Sequence, residues 1–239
     1  AAPDAFYLSD LKTGKGYNRN GVQTPAARMI KVFILAAAYE DIRDGKLSRT
    51  ETFTLTDKNV VAGSGVLQGM PKGTTVTVKK ALDEMIIHSD NTATNLMIDR
   101  LGMDRVNRYL KEHGYKDTTL RRKMMDFDAA KKGAENMTTV RDVGLLFKRL
   151  YQGKCVSKDL DAQMLAIYKA QVDTDMLPDK LPKGTVVAHK TGEVRDLRHD
   201  GGIGYTSKGD YVLVVFTREY TPYASVADLS RRVYDGYVK

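Results

Sequence analysis

Pro25-Ala26-Ala27-Arg28-Met29-Ile30-Lys31-Val32-Phe33-Ile34-Leu35-Ala36-Ala37-Ala38-Tyr39 is the stretch on which the fold of this chain turns. Thr24-Pro25 suits a loop leading into a helix, and the pattern predicts that helix over about 27–43, ended by Asp44-Gly45. Apolar residues surround it on nearly every side, the mark of a helix buried in a core. Lys31 stands one turn into that run. An ammonium group there loses hydration and its pKa should fall. Either its stem follows the helix and its head reaches water, or it serves a site by accepting a proton or orienting an attacking group.

Upstream, residues 5–8 and 16–19 flank the polar turn Lys12-Thr13-Gly14 and read as a hairpin. Downstream, helical spacing recurs over 78–88, 92–101, 104–113, 139–151 and 158–169. The last third changes to β-branched or apolar stretches at 185–189, 202–205 and 211–217, before a final helix over 223–237. Strands at both ends with helices between them imply an α+β domain, in which one antiparallel sheet is built from both chain ends and flanked by helices. On this reading residues 1–47 and 178–239 form an α/β lobe, 48–177 form an inserted all-helical lobe, and a cleft lies between them.

With 239 residues, 42% of them hydrophobic, the chain can bury a full core without a metal or disulfide scaffold. The single cysteine, Cys155, forms no internal bridge and reads as an inert residue near a helix end. A net charge of +8 favours polyanions in general. The dense basic cluster Arg121-Arg122-Lys123 lacks the interleaved aromatics that stack bases, so it reads as a solvated basic face and no nucleic-acid partner is expected. No apolar run approaches the ~20 residues needed to cross a bilayer, and Ala1-Ala2-Pro3 would suit a mature domain trimmed of an export signal or anchor. His88, His113, His189 and His199 have no zinc-binding spacing, and Gly63-Ser64-Gly65 lacks the rest of a phosphate-binding loop, so neither metal nor cofactor is expected. His189 reads as a structural residue at a strand end.

Two further tripeptides complete the pattern. Ser89-Asp90-Asn91 breaks two helical stretches; alone it is an ordinary turn or helix cap. Lys190-Thr191-Gly192 follows the strand over 185–189, where Gly192 lets a ligand or backbone come close. With Lys31 they match, in order, the Ser-x-x-Lys, Ser-Asp-Asn and Lys-Thr-Gly set, except that Arg28 holds the serine position. On these motifs, the opening hairpin, Gly63-Ser64-Gly65-Val66-Leu67-Gln68 and the terminal strands and helix, the chain resembles a class A β-lactamase or a related serine hydrolase of the penicillin-binding group.

The resemblance implies a β-lactamase/transpeptidase-like fold, an exported monomer, and a β-lactam or D-alanyl-D-alanine-like ligand. It implies attack by serine and hydrolysis of the resulting acyl-enzyme. Lys31 would be the base-side lysine, Ser89 a proton shuttle toward the leaving nitrogen and Asn91 a donor to the substrate amide. Lys190 and Thr191, with Gly192 beside them, would hold the substrate carboxylate. Arg28 cannot attack, because a guanidinium stays protonated. Ser64 and Ser89 are the hydroxyls expected to face the cleft, but out of attack geometry. Glu135 is a candidate for the base that activates the deacylating water, and reads equally as a loop or helix-start carboxylate. Arg28 and Lys31, one helical turn apart, would repel and further lower the lysine pKa unless Glu135, Glu193 or Asp90 pairs with the arginine. The expectation is a β-lactamase-like hydrolase that is weakly active or inactive; the alternative is a non-catalytic module gripping a carboxylate with Arg28, Lys190 and Thr191.

Overall fold

The computed structural model describes residues 5–217 and 221–238; residues 1–4, including the opening Ala1-Ala2-Pro3, 218–220 and 239 lie outside the described part. The chain opens with the hairpin β1 (Ala5–Asp10) and β2 (Gly16–Arg19), followed by β3 (Thr24–Pro25), a tight helical turn (Ala27–Met29) and α1 (Ile30–Arg43). Next come β4 (Thr52–Thr54), β5 (Thr75–Thr77), α2 (Val78–Ile87), α3 (Asn91–Leu101), α4 (Met103–Glu112) and α5 (Phe127–Lys131). The rest is β6 (Met137–Thr138), α6 (Val140–Gln152), α7 (Lys158–Lys169), β7 (Val187–Val194), β8 (Leu197–Gly204), β9 (Tyr211–Phe216) and α8 (Tyr223–Val238).

The two chain ends do share one antiparallel sheet, in the order β2-β1-β9-β8-β7. Alternation along β9 divides the interior. Tyr211, Leu213 and Val215 pack on the side of α8 with Val226 and Leu229, whereas Val212, Val214 and Phe216 join the main core with α1. Covered on both faces, β9 is buried throughout, which explains its unbroken apolar sequence. Every residue of α1 from Ile30 to Asp41 is buried, Lys31 included.

Helix starts are fixed by side-chain caps that satisfy otherwise orphaned amides. Thr77, Asp90, Thr139 and Ser157 accept from the amides of Lys80, Ala93, Asp142 and Leu160, opening α2, α3, α6 and α7.

Four readings are corrected. The segment 27–43 is not one helix: Ala27 has φ 50°, which an α-helix does not admit, so Arg28 lies in the tight turn and Lys31 is the second residue of α1. Lys190-Thr191-Gly192 lies inside β7, not after it, because pairing with Gly201, Asp200 and His199 of β8 continues through the motif. The lobe of helices also carries the ribbon of β4 and β5. In the basic cluster Arg121 is exposed but Arg122 is buried, its guanidinium held by Glu135 at 3.0 Å.

Candidate active site

The site forms where α1, the α2–α3 connection and β7 meet. His199 on β8 stacks on Phe216 and its Nε2 lies 3.1 Å from the Pro25 carbonyl oxygen, tying the entry of α1 to the sheet. At Gly192 a Cβ would lie 3.2 Å from the Met29 amide nitrogen and 3.4 Å from that of Arg28. A side chain there would push β7 off the start of α1. The close approach expected of Gly192 is therefore made to this protein's own backbone, and it sets Arg28 against the Lys-Thr-Gly strand.

Ser89 is the centre of the arrangement. It is fully buried and held at φ 51°, a conformation that costs a non-glycine residue and persists only where its surroundings impose it. Those surroundings are two lysines and a serine. Lys31 Nζ donates to the Ser89 carbonyl at 2.6 Å, and lies 3.1 Å from Ser89 Oγ and 2.8 Å from Asn91 Oδ1. Lys190 Nζ reaches the same Ser89 Oγ at 2.9 Å and also donates to the Thr191 carbonyl. Ser64 Oγ donates to the Ser89 carbonyl at 2.6 Å. Asp90 Oδ2 accepts from the amides of Val66 and Leu67, locking the loop that carries Ser64 onto the turn. Lys31, Ser89, Asn91, Lys190, Thr191, Gly192, Ser64 and Arg28 thus converge, and Lys31 does not run its head to water.

Both lysines are pushed toward neutrality. Burial acts most on Lys31, with Lys190 and Arg28 adding repulsion against the opposing pull of Asp90, and its pKa falls well below the ordinary value. Lys190 is lowered to about 7, again by burial first and Arg28 next, with Asp173 and Asp200 pulling the other way. A lysine free of its proton can accept from the Ser89 hydroxyl while the other donates to it, the arrangement that a proton relay would need.

This sets an expected pH dependence. The unfolded chain carries Lys190 near 10.5 and the folded chain near 7; between those values the unfolded state binds more protons, so this lysine makes stability rise with pH. Below about 7 the charged form exists in both states and the full penalty stands. Urea midpoints followed from about pH 7 to about pH 10 are expected to climb more steeply in the wild type than in Lys190→Met. Equal slopes would refute the assignment.

Arg28 separates two cavities. One, of about 240 Å³, is lined by Arg28, Ser64, His88, Thr191 and the acidic residues Asp173, Asp175 and Glu193. The other, of about 520 Å³, adjoins Gly63, Asn91, Met125, Phe127 and Glu135. None of the three carboxylates that could relieve the repulsion between Arg28 and Lys31 pairs with the arginine, and Arg28 lowers the lysine pKa as expected without such a partner. Asp90 caps α3, Glu193 accepts from the Tyr223 hydroxyl, and Glu135 Oε1 accepts from Arg122 and from the Asn136 amide. Among the described residues Arg28 makes no ion pair, and its Nε is buried without a partner. His189 is buried and bonded to Asp200 at 2.8 Å, a structural role. Cys155 is buried as well, its thiol pushed up to about 12 by that burial, consistent with an inert residue.

Sequence reasoning missed Asp173 and Asp175. They lie in the loop between α7 and β7, and Asp173 accepts from the Thr191 hydroxyl at 3.0 Å. No spacing rule links this loop to the motif that it meets; only the tertiary fold does.

With the geometry in place, the chain can be set beside known proteins. A sequence model of the beta-lactamase enzyme family matches residues 3–237. A beta-lactamase of Streptomyces lavendulae is 27% identical over 231 residues, covering 93% of this chain and 75% of that protein. The beta-lactamase CARB-3 of Pseudomonas aeruginosa is 27% identical over 190 residues, covering 77% of this chain and 65% of its own. Among solved structures, PBP-A superposes with a TM-score of 0.89 at 29% identity, covering 98% of this chain and 89% of that one. A beta-lactamase from Sphaerobacter thermophilus gives 0.90 at 27%, covering 98% and 91%. Sheet, helices, relay and family model agree, and the chain belongs to the beta-lactamase enzyme family.

Proposed function

We propose that this protein is a β-lactam-recognising member of its family that forms no acyl-enzyme at position 28, and that it holds β-lactam or D-alanyl-D-alanine-like ligands without efficient turnover. The observation that carries this reading is the place of Arg28. It precedes Lys31 by one turn, its backbone abuts β7 at Gly192, and its guanidinium faces both cavities. That is where an attacking oxygen would stand. A guanidinium has no lone pair to offer.

The remaining hydroxyls favour the same reading. Ser89 is fully buried between two lysines, and Ser64 directs its proton to the Ser89 carbonyl. Ser89 lacks the exposure, and Ser64, though it lines the cleft, turns its hydroxyl away from the alignment that acyl transfer needs. Recognition of β-lactams is supported by relatives whose fold it shares, including a mutant of PBP-A captured as an acyl-enzyme complex with penicillin G. Incubation with a chromogenic cephalosporin is expected to give hydrolysis near the rate in buffer. Turnover in the range of about 1–10³ s⁻¹ usual for enzymes would overturn the proposal.

A further inference from the structure

The acid-lined cavity beside Arg28 bears on what such a ligand must look like, and the inference rests on the reading of the cleft just given. In Lys190-Thr191 both side chains are already engaged by this protein. Lys190 turns its ammonium inward to Ser89 Oγ and the Thr191 carbonyl. The Thr191 hydroxyl donates to Asp173 Oδ2 at 3.0 Å. Asp173 thus places a carboxylate of the chain itself where a ligand carboxylate would otherwise meet Thr191.

The surroundings reinforce this. Asp175 and Glu193 line the same cavity, and Arg28 is its one arginine. His88 in the same wall already faces Glu84 at 2.6 Å. A ligand carboxylate entering here would join three carboxylates, with Arg28 the one cation in the lining and Lys190 turned inward behind Thr191. A hydrogen-bond donor would instead find carboxylate oxygens to donate to.

We infer that Asp173 tunes specificity in this cleft: it weakens the binding of a carboxylate at Thr191 and favours ligands that present a hydrogen-bond donor there, a carboxamide or an ammonium. No change of fold is required, and Asp173 is exposed on its loop, so its substitution leaves the core untouched.

Benzylpenicillin and its carboxamide differ only in the group that would meet Thr191, and calorimetry with the full chain measures both. The wild type is expected to bind the carboxamide more tightly than the acid. In Asp173→Asn and Asp173→Ala the affinity for the acid is expected to rise about five- to tenfold, the effect of removing one nearby unit charge in a solvent-exposed setting. The carboxamide should gain nothing. An acid-to-carboxamide ratio that is the same in wild type and both variants would overturn the inference while leaving the non-acylating reading intact. A covalent adduct on the wild type, seen by mass in the same samples, would overturn that reading but not an altered ratio. Failure of both ligands to bind any of the three proteins would overturn both.

Discussion

Arg28→Ser is expected to turn a chain that takes up no benzylpenicillin covalently into one that is acylated to one adduct per molecule. The proposed reading leaves the rest of the site fit for that chemistry. A serine hydroxyl at position 28 would sit one helical turn before Lys31 on the same face of the chain. Lys31 is already lowered by burial and by Lys190, so an amine able to take the serine proton is available. The leaving nitrogen would find Ser89, which both lysines reach. Position 28 lies in the tight turn before α1, after Ala27 at φ 50°. Loss of a nucleophile costs on the order of 10⁶ in kcat in a serine hydrolase, so restoring it should speed acylation by at least about 10³-fold even if positioning is imperfect.

The adduct should accumulate rather than turn over. Glu135, the one carboxylate considered for activating water, gives Oε1 to Arg122 and the Asn136 amide. Next to Gly63 and Asn91 the facing wall is Met125, whose sulfur would be 3.2 Å from a Cβ on Gly63. A thioether cannot take a proton from water.

The second large effect is the loss of that gained chemistry when the relay is cut. In the Arg28→Ser background, Lys31→Met is expected to slow acylation by about 10²–10⁴-fold, the usual contribution of a positioned general base. Methionine keeps the length and much of the volume of the lysine stem, so the buried face of α1 stays filled. It leaves Asn91 Oδ1 without its donor and Ser89 Oγ with Lys190 alone, and a modest loss of stability is expected alongside. Acylation rates from stopped mixing and mass analysis separate the two effects, since a folded but slow variant retains its cooperative melt. Unchanged acylation in the double variant would exclude Lys31 as the base.

Much of this architecture is legible in the amino-acid sequence. The apolar girdle of α1 announces its burial, and β-branched runs at both ends place the sheet, because a strand covered on both faces must be apolar throughout. The three motifs mark the residues that converge, Lys31, Ser89, Asn91, Lys190 and Thr191. What escapes the sequence depends on tertiary contact. Lys190 and Thr191 read as the end of a strand because polar side chains usually face solvent; here Ser89 and Asp173 satisfy them inside the sheet. Arg122 reads as a surface charge because its partner Glu135 is far away along the chain, and burial of an arginine is tolerable only once that partner is in reach. Ala27 reads as helical because nothing in an alanine signals a positive φ, which comes from the way the tight turn meets β7. Whether a carboxylate would pair with Arg28 is not legible in the sequence, because the other partners of Asp90, Glu193 and Glu135 come from the fold.

On the proposed reading, Arg28 alone stands between the Lys31, Ser89 and Lys190 cluster and acyl transfer. Intact-mass measurement of the wild type and Arg28→Ser, side by side after incubation with benzylpenicillin, tests it most directly. The wild type is expected to keep its mass and the serine variant to gain the mass of one whole penicillin, mapped to the peptide carrying position 28. An adduct on the wild type, or a folded serine variant that gains none, would contradict it.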